Sequence, residues 1–153
     1  MIQRIQSLYL FAAGLCYFLY WFFGLEWYEK GYPIIIDFFN NAKGLDVILE
    51  IISFIPLLIY LLCLLTILLF KSRSTQIKLS LINFRLSLIM CLFTVFYFYH
   101  SLVALIDLMP SRFLELLMYA AILNPFLCSY LIFYALRLIR KDDDLVNSID
   151  RIR

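Results

Sequence analysis

Histidine occurs once in the 153 residues, at position 100. One imidazole cannot supply a bis-histidine haem site, and a metal centre would lack its usual nitrogen ligands. The glycines stand singly, and no P-loop, dinucleotide fingerprint, G-x-S-x-G elbow or H-E-x-x-H helix is present. Charge is scarce as well: 16% of residues are charged and 65% are hydrophobic, whereas soluble domains carry roughly 45–50% apolar residues. A water-soluble fold cannot hide that much apolar surface. The net charge of +2 leaves no basic groove for nucleic acid. The four cysteines, Cys16, Cys63, Cys91 and Cys128, fall one in each of four apolar runs. They form neither a C-x-x-C motif nor a disulfide framework in aqueous loops, and read as small buried hydrophobes. No cofactor is expected.

What the chain does have is length without charge. Ile5 to Leu25 is a run of 21 uncharged residues, and about 20 suffice to cross a hydrocarbon core of roughly 30 Å as a helix. Ala12-Ala13-Gly14 lies within this run rather than after it, so it reads as a retained anchor rather than a cleaved signal. Further spans are expected at about 47–70, 86–106 and 113–136. The second carries Pro56 in its first third, where a kink is the default. The third is preceded by an amphipathic lead-in, Leu79 to Arg85, and the fourth is interrupted at mid-depth by Asn124-Pro125. Closed barrels need alternating strands, which such runs exclude. The fold class is therefore all-α: a polytopic, four-transmembrane-helix bundle forming a single integral membrane domain over residues 1–153.

The longest connection, Glu26 to Asp46, combines a helix-breaking Gly31-Tyr32-Pro33 with a turn-like Asn40 to Gly44. Between them lies Ile34-Ile35-Ile36-Asp37-Phe38-Phe39, too apolar for a free loop and too short to span. It is expected in the interface or packed on helix ends, with Ile34, Ile36 and Phe38 as candidate partner contacts. Orientation follows from basic residues beside the spans. Arg4, Lys71, Arg73, Lys78, Arg85, Arg137, Arg140, Lys141, Arg151 and Arg153 fall on one side, against Lys30, Lys43 and Arg112 on the other. Both termini are expected in the cytoplasm.

Few positions offer chemistry. Asn124 is a carboxamide at depth, read first as an interhelical hydrogen bond or a repair of backbone disrupted by Pro125, and second as a polar ligand site. His100 lies among Phe96, Tyr97, Phe98 and Tyr99 and reads as part of an aromatic belt, with a relay to Asp107 as the sharper alternative. Glu50, Asp107, Arg112 and Glu115 share one boundary and suggest an ion-pair cluster. No acid sits at mid-membrane, which argues against active transport. The remaining intramembrane hydroxyls, Ser53, Thr66, Ser87, Thr94, Ser101 and Ser129, are scattered in depth.

The two ends are less generic. Met1 to Leu10, M-I-Q-R-I-Q-S-L-Y-L, and Ile139 to Arg153, I-R-K-D-D-D-L-V-N-S-I-D-R-I-R, together resemble the four-helix integral membrane proteins of the Bacteroidetes lineage grouped as domain of unknown function family 4293. The resemblance implies an inner-membrane location and four spans with both ends inside. It implies no activity and no catalytic residue.

Continued as a helix at 100° per residue, the tail 137–153 is amphipathic: Leu138, Ile139, Leu145, Val146, Ile149 and Ile152 fall within about 140°. Asp142 lies inside that stripe, so it either meets a cation such as Arg4 or Arg73 or caps a second helix starting at the acidic triplet. Arg140, Lys141, Asp142, Leu145 and Ile149 are the candidate contacts of this end. The expectation is a non-enzymatic accessory or scaffold subunit of a larger bacterial inner-membrane complex. The bilayer and other membrane proteins, or a second copy, are its partners. A small-molecule carrier or channel component is the alternative, and a lipid-modifying enzyme comes third.

Overall fold

The protein is described by a computed structural model covering residues 2–39, 44–70, 72–107 and 111–150, with side chains throughout except at 2–4, 25–29 and 147–150. Five helices follow one another: α1 (Ile2–Phe38), α2 (Leu45–Ser53), α3 (Ile55–Leu68), α4 (Arg73–Asp107) and α5 (Arg112–Asp150). The described residues hold four helical stretches long and apolar enough to cross a membrane, α2 and α3 forming one of them together. No more than 44% of any of these stretches is buried inside the protein. Their outward faces carry Leu8, Phe11, Leu15, Ile51, Leu61, Leu92 and Leu123, the surface a lipid solvent requires.

The break between α2 and α3 falls at Phe54, just before Pro56. Pro56 has no N–H for the carbonyl four residues earlier, and the Ser53 hydroxyl bonds the Glu50 carbonyl at 2.7 Å, so the chain bends where two local effects coincide. The expected proline kink is therefore present, two residues ahead of the proline. At the other end of α2 Gly44 has φ +90°, a left-handed conformation that suits glycine and starts the helix.

Three boundaries differ from the sequence reading. Gly31-Tyr32-Pro33 does not break the chain: α1 runs 37 residues, about 55 Å, straight through it. Pro33 is exposed. Gly31 is where α1 presses on α4, because a Cβ there would overlap the Tyr97 hydroxyl. α4 starts at Arg73, thirteen residues before the expected third span at 86. α5 runs unbroken through Asn124-Pro125 and through the acidic triplet to Asp150, so no second helix begins there and Asp142 is not a cap.

α1 packs on α3, α4 and α5; α4 packs on α3 and α5; and α3 and α5 do not meet among the described residues. Helices α1 and α4 are thus the close diagonal of the bundle. They run parallel, with Tyr20 hydroxyl to Thr94 hydroxyl at 3.4 Å and Tyr32 against Tyr97 further on. The two helices do not advance evenly, since Tyr20 to Tyr32 on α1 passes over no more than Thr94 to Tyr97 on α4. Gly31, Tyr32, Phe38 and Phe39 all converge on Phe96, Tyr97 and His100. Eight residues of α1, about 12 Å, meet little more than one turn of α4. The end of α1 crosses α4 instead of running beside it.

Candidate functional site

The interior is more polar than the sequence suggested. On α4, Gln76, Ser80, Asn83, Ser87, Thr94 and Ser101 are all at most 4% exposed. At 100° per residue they fall within an arc of about 60°, a single face directed into the bundle. The supposed lead-in is inverted: Ser80 and Asn83 point inward while Ile82 and Arg85 face out. Lipid is the reason. With an apolar exterior, the polar side of a helix finds partners only inside.

Those partners tie α4 to α3. Gln76 Nε2 donates to the Thr66 carbonyl at 2.9 Å, and Asn83 Nδ2 donates to Cys63 Sγ at 3.4 Å. Ser87, Thr94 and Ser101 donate back to the Phe84, Met90 and Tyr97 carbonyls. Ser80 Oγ, Asn83 Oδ1 and Gln6 Oε1 on α1 are buried without a hydrogen-bond partner among the described residues.

Asn124 bridges α5 to α1. Its Nδ2 donates to the Cys16 carbonyl at 3.1 Å and its Oδ1 accepts from Cys128 Sγ at 3.3 Å. This is the interhelical bond the sequence favoured. The cysteines stand near one another in depth: Gly14 abuts Cys63, and Cys91 Sγ lies 3.2 Å from Ser129 Oγ, beside Cys128 in the chain. All four are free thiols, and among the described residues no three His, Cys, Asp or Glu side chains converge as a metal requires.

From Asn124 outward, α1 and α5 part to leave an apolar groove of about 370 Å³, lined by Leu19, Phe23 and Leu117 with the small residues Gly24, Ala120 and Ala121. Asn124 is its mid-membrane end.

At the far end His100 is enclosed by rings, with centroids 4.7 Å from Phe38, 5.0 Å from Phe96, 5.1 Å from Tyr99 and 5.7 Å from Phe39. Of the candidate contacts here, Phe38 is exposed, Ile34 and Ile36 are half-buried, and their neighbour Ile35 is fully buried. Tyr32 donates to the Leu49 carbonyl at 2.9 Å, fastening α1 to α2. Tyr32 lies beyond the α1 span, and burial raises its phenol above the ordinary range, keeping it a donor. The expected cluster of Glu50, Asp107, Arg112 and Glu115 forms no ion pair among the described residues. Pairs so close to water contribute about 0–1 kcal/mol, too little to hold long side chains in one geometry.

At the near end Arg73 Nη1 lies 2.8 Å from Asp142 Oδ2 and donates to the Asp142 carbonyl, also at 2.8 Å. The odd acid of the apolar stripe thus holds α5 to the start of α4. Arg140, Lys141 and Leu145 are exposed; Ile149 lies outside the described side chains.

Sequence reasoning missed Gln76, Ser80, Asn83 and Gln6. The 3–4 spacing of the first three was available, but they lay before the uncharged core of the third span, in the polar loop and the amphipathic lead-in, while Gln6 stands near the start of the first uncharged run. No curated protein and no solved structure matches the chain. A model of the family described as domain of unknown function DUF4293 matches residues 2–152, and on that extent the chain belongs to this family.

Proposed function

We propose that the protein is a non-enzymatic accessory or scaffold subunit of a larger bacterial inner-membrane assembly, with both termini in the cytoplasm. The observation that carries this reading is the α1–α5 groove. It is apolar, open at the protein surface, and bordered by Gly24, Ala120 and Ala121. Lipid tails are as apolar as leucine, so helices associate in membranes through small residues that let backbones approach closely. The occupant we assign to the groove is a transmembrane helix of another subunit. Carboxamides that would otherwise suggest a reaction site bond within the bundle, Asn124 to Cys16 and Gln76 to Thr66.

Ala121→Phe fills the groove from a half-buried position. Purified in mild detergent under native expression, the wild type should carry a stoichiometric partner, and the variant should lose it at an unchanged melting temperature. A wild type that migrates alone, or a variant that keeps its partner, removes the reading. The topology rests on the ten-to-three distribution of basic residues. Reporter fusions at both ends should be active only as cytoplasmic reporters.

A second reading has its own observation. Gln6, Ser80 and Asn83 present buried acceptors without a hydrogen-bond partner among the described residues, as a small-molecule carrier or channel component would. Asn83→Leu separates the two, since a conduit loses flux whereas a scaffold keeps its partner.

A further inference from the structure

Along α5, the exposed Phe133, Arg137, Arg140, Lys141 and Asp144, with the buried Leu136, line a concavity of about 440 Å³. Arg137, Arg140 and Lys141 are exposed, and none forms an ion pair among the described residues, where Arg73 and Asp142 supply the ion pair of this end. Depth sets the meaning of that patch. Leu116 to Leu136 is uncharged over 21 residues, about 32 Å of helix, close to the roughly 30 Å of a hydrocarbon core. Arg137 therefore stands at the hydrocarbon edge, and Arg140 and Lys141 about 5–6 Å beyond it, within the headgroup layer. Asp144 is about 11 Å beyond, past that layer, and offsets one of the three positive charges, leaving the concavity a net excess of two at phosphate depth.

We propose that this concavity is a binding site for an anionic phospholipid, its phosphate held by Arg137, Arg140 and Lys141 and one acyl chain lying along Phe133. The shape follows from the order of residues along one face: an aromatic ring within the hydrocarbon, two guanidiniums and an ammonium at the headgroups, an acid outside. Arg presents a planar fork that suits phosphate oxygens, and each basic residue near a membrane surface adds roughly fivefold to anionic-lipid binding, about 1 kcal/mol. A partner protein's acidic segment would need no apolar lower half. The site is independent of the subunit reading, since it lies at the opposite end of α5 from the Ala121 groove.

Native mass spectrometry of the full chain, delipidated and offered equimolar phosphatidylglycerol and phosphatidylcholine, reads the site directly. The wild type should retain phosphatidylglycerol in clear excess. The Arg137→Gln, Arg140→Gln, Lys141→Gln variant should lose roughly fivefold per residue, and Arg112→Gln, at the other end of the helix, should lose nothing. If the triple variant does not fold, Arg140→Gln alone must give the same ordering at smaller size. Inorganic phosphate should not compete, because it has no chain to lie along Phe133. The proposal falls if the wild type shows no preference, if the variant keeps it, or if inorganic phosphate displaces the lipid. It also falls if the variant loses a bound protein while its lipid preference is unchanged.

Discussion

The two ends of the bundle are held by different physics. At the Arg73 end the helices are tied by directed polar contacts: Arg73 to Asp142, Gln76 to the Thr66 carbonyl, Asn83 to Cys63. At the His100 end they are held by rings and close approach, with Phe38, Phe39, Phe96 and His100 packed together and Gly31 pressed onto Tyr97. Directed contacts can leave remainders: this end buries Ser80 Oγ and Asn83 Oδ1 with no hydrogen-bond partner among the described residues, as Tyr17 Oη and Trp21 Nε1 are buried elsewhere. Ring packing tolerates little change of shape. The ends should therefore fail differently: one through chemistry and salt, the other through volume.

The largest effect is expected at the aromatic end. Gly31→Ala puts a methyl where the Tyr97 hydroxyl lies, and overpacking of this kind costs about 1–3 kcal/mol. Thermal unfolding in detergent should show a clear drop, partly restored by Tyr97→Phe, which removes the overlapping hydroxyl. An undisturbed Gly31→Ala variant would show that α1 does not cross α4 at this point. At the polar end Asp142→Leu should cost less, at most about 1 kcal/mol, because the pair is partly exposed and Arg73 keeps its bond to the carbonyl of residue 142. High salt should shrink the difference between this variant and the wild type, and should not shrink the Gly31 effect. Between the ends, Asn124→Leu removes the bond to Cys16 and should cost about 0.6 kcal/mol by the same assay.

What could be read from the sequence was whatever lipid dictates locally. Four uncharged runs became four candidate spans, Pro56 marked a bend, Asn124 proved to be an interhelical bond, and Arg73 was among the cations expected for Asp142. What was lost needed knowledge of neighbours. Gly31-Tyr32-Pro33 reads as a breaker until Tyr97 is seen beneath Gly31, and Leu79 to Arg85 reads as an interfacial lead-in until its polar side is found facing α3. Counting hydroxyls by depth made the α4 residues look scattered. Taking them by angle shows one face, because a helix sorts side chains by 100° steps as well as by height. The groove beside Asn124 had no sequence signal at all, since it forms between two helices 100 residues apart.

The smallest effect tests what the aromatic end is for. If His100 serves as one more ring in its cage, His100→Phe keeps the contacts with Phe38, Phe39, Phe96 and Tyr99 and should change stability by less than about 0.5 kcal/mol. His100→Ala should cost several times more, because it empties a site filled from four sides. That ordering, neutral for the aromatic and costly for the small residue, belongs to packing. The reverse ordering, with Phe as harmful as Ala in a partner-retention assay, would mean that an imidazole nitrogen does work no ring can replace. The division of the molecule into a polar end and a packed end would then fail at its centre.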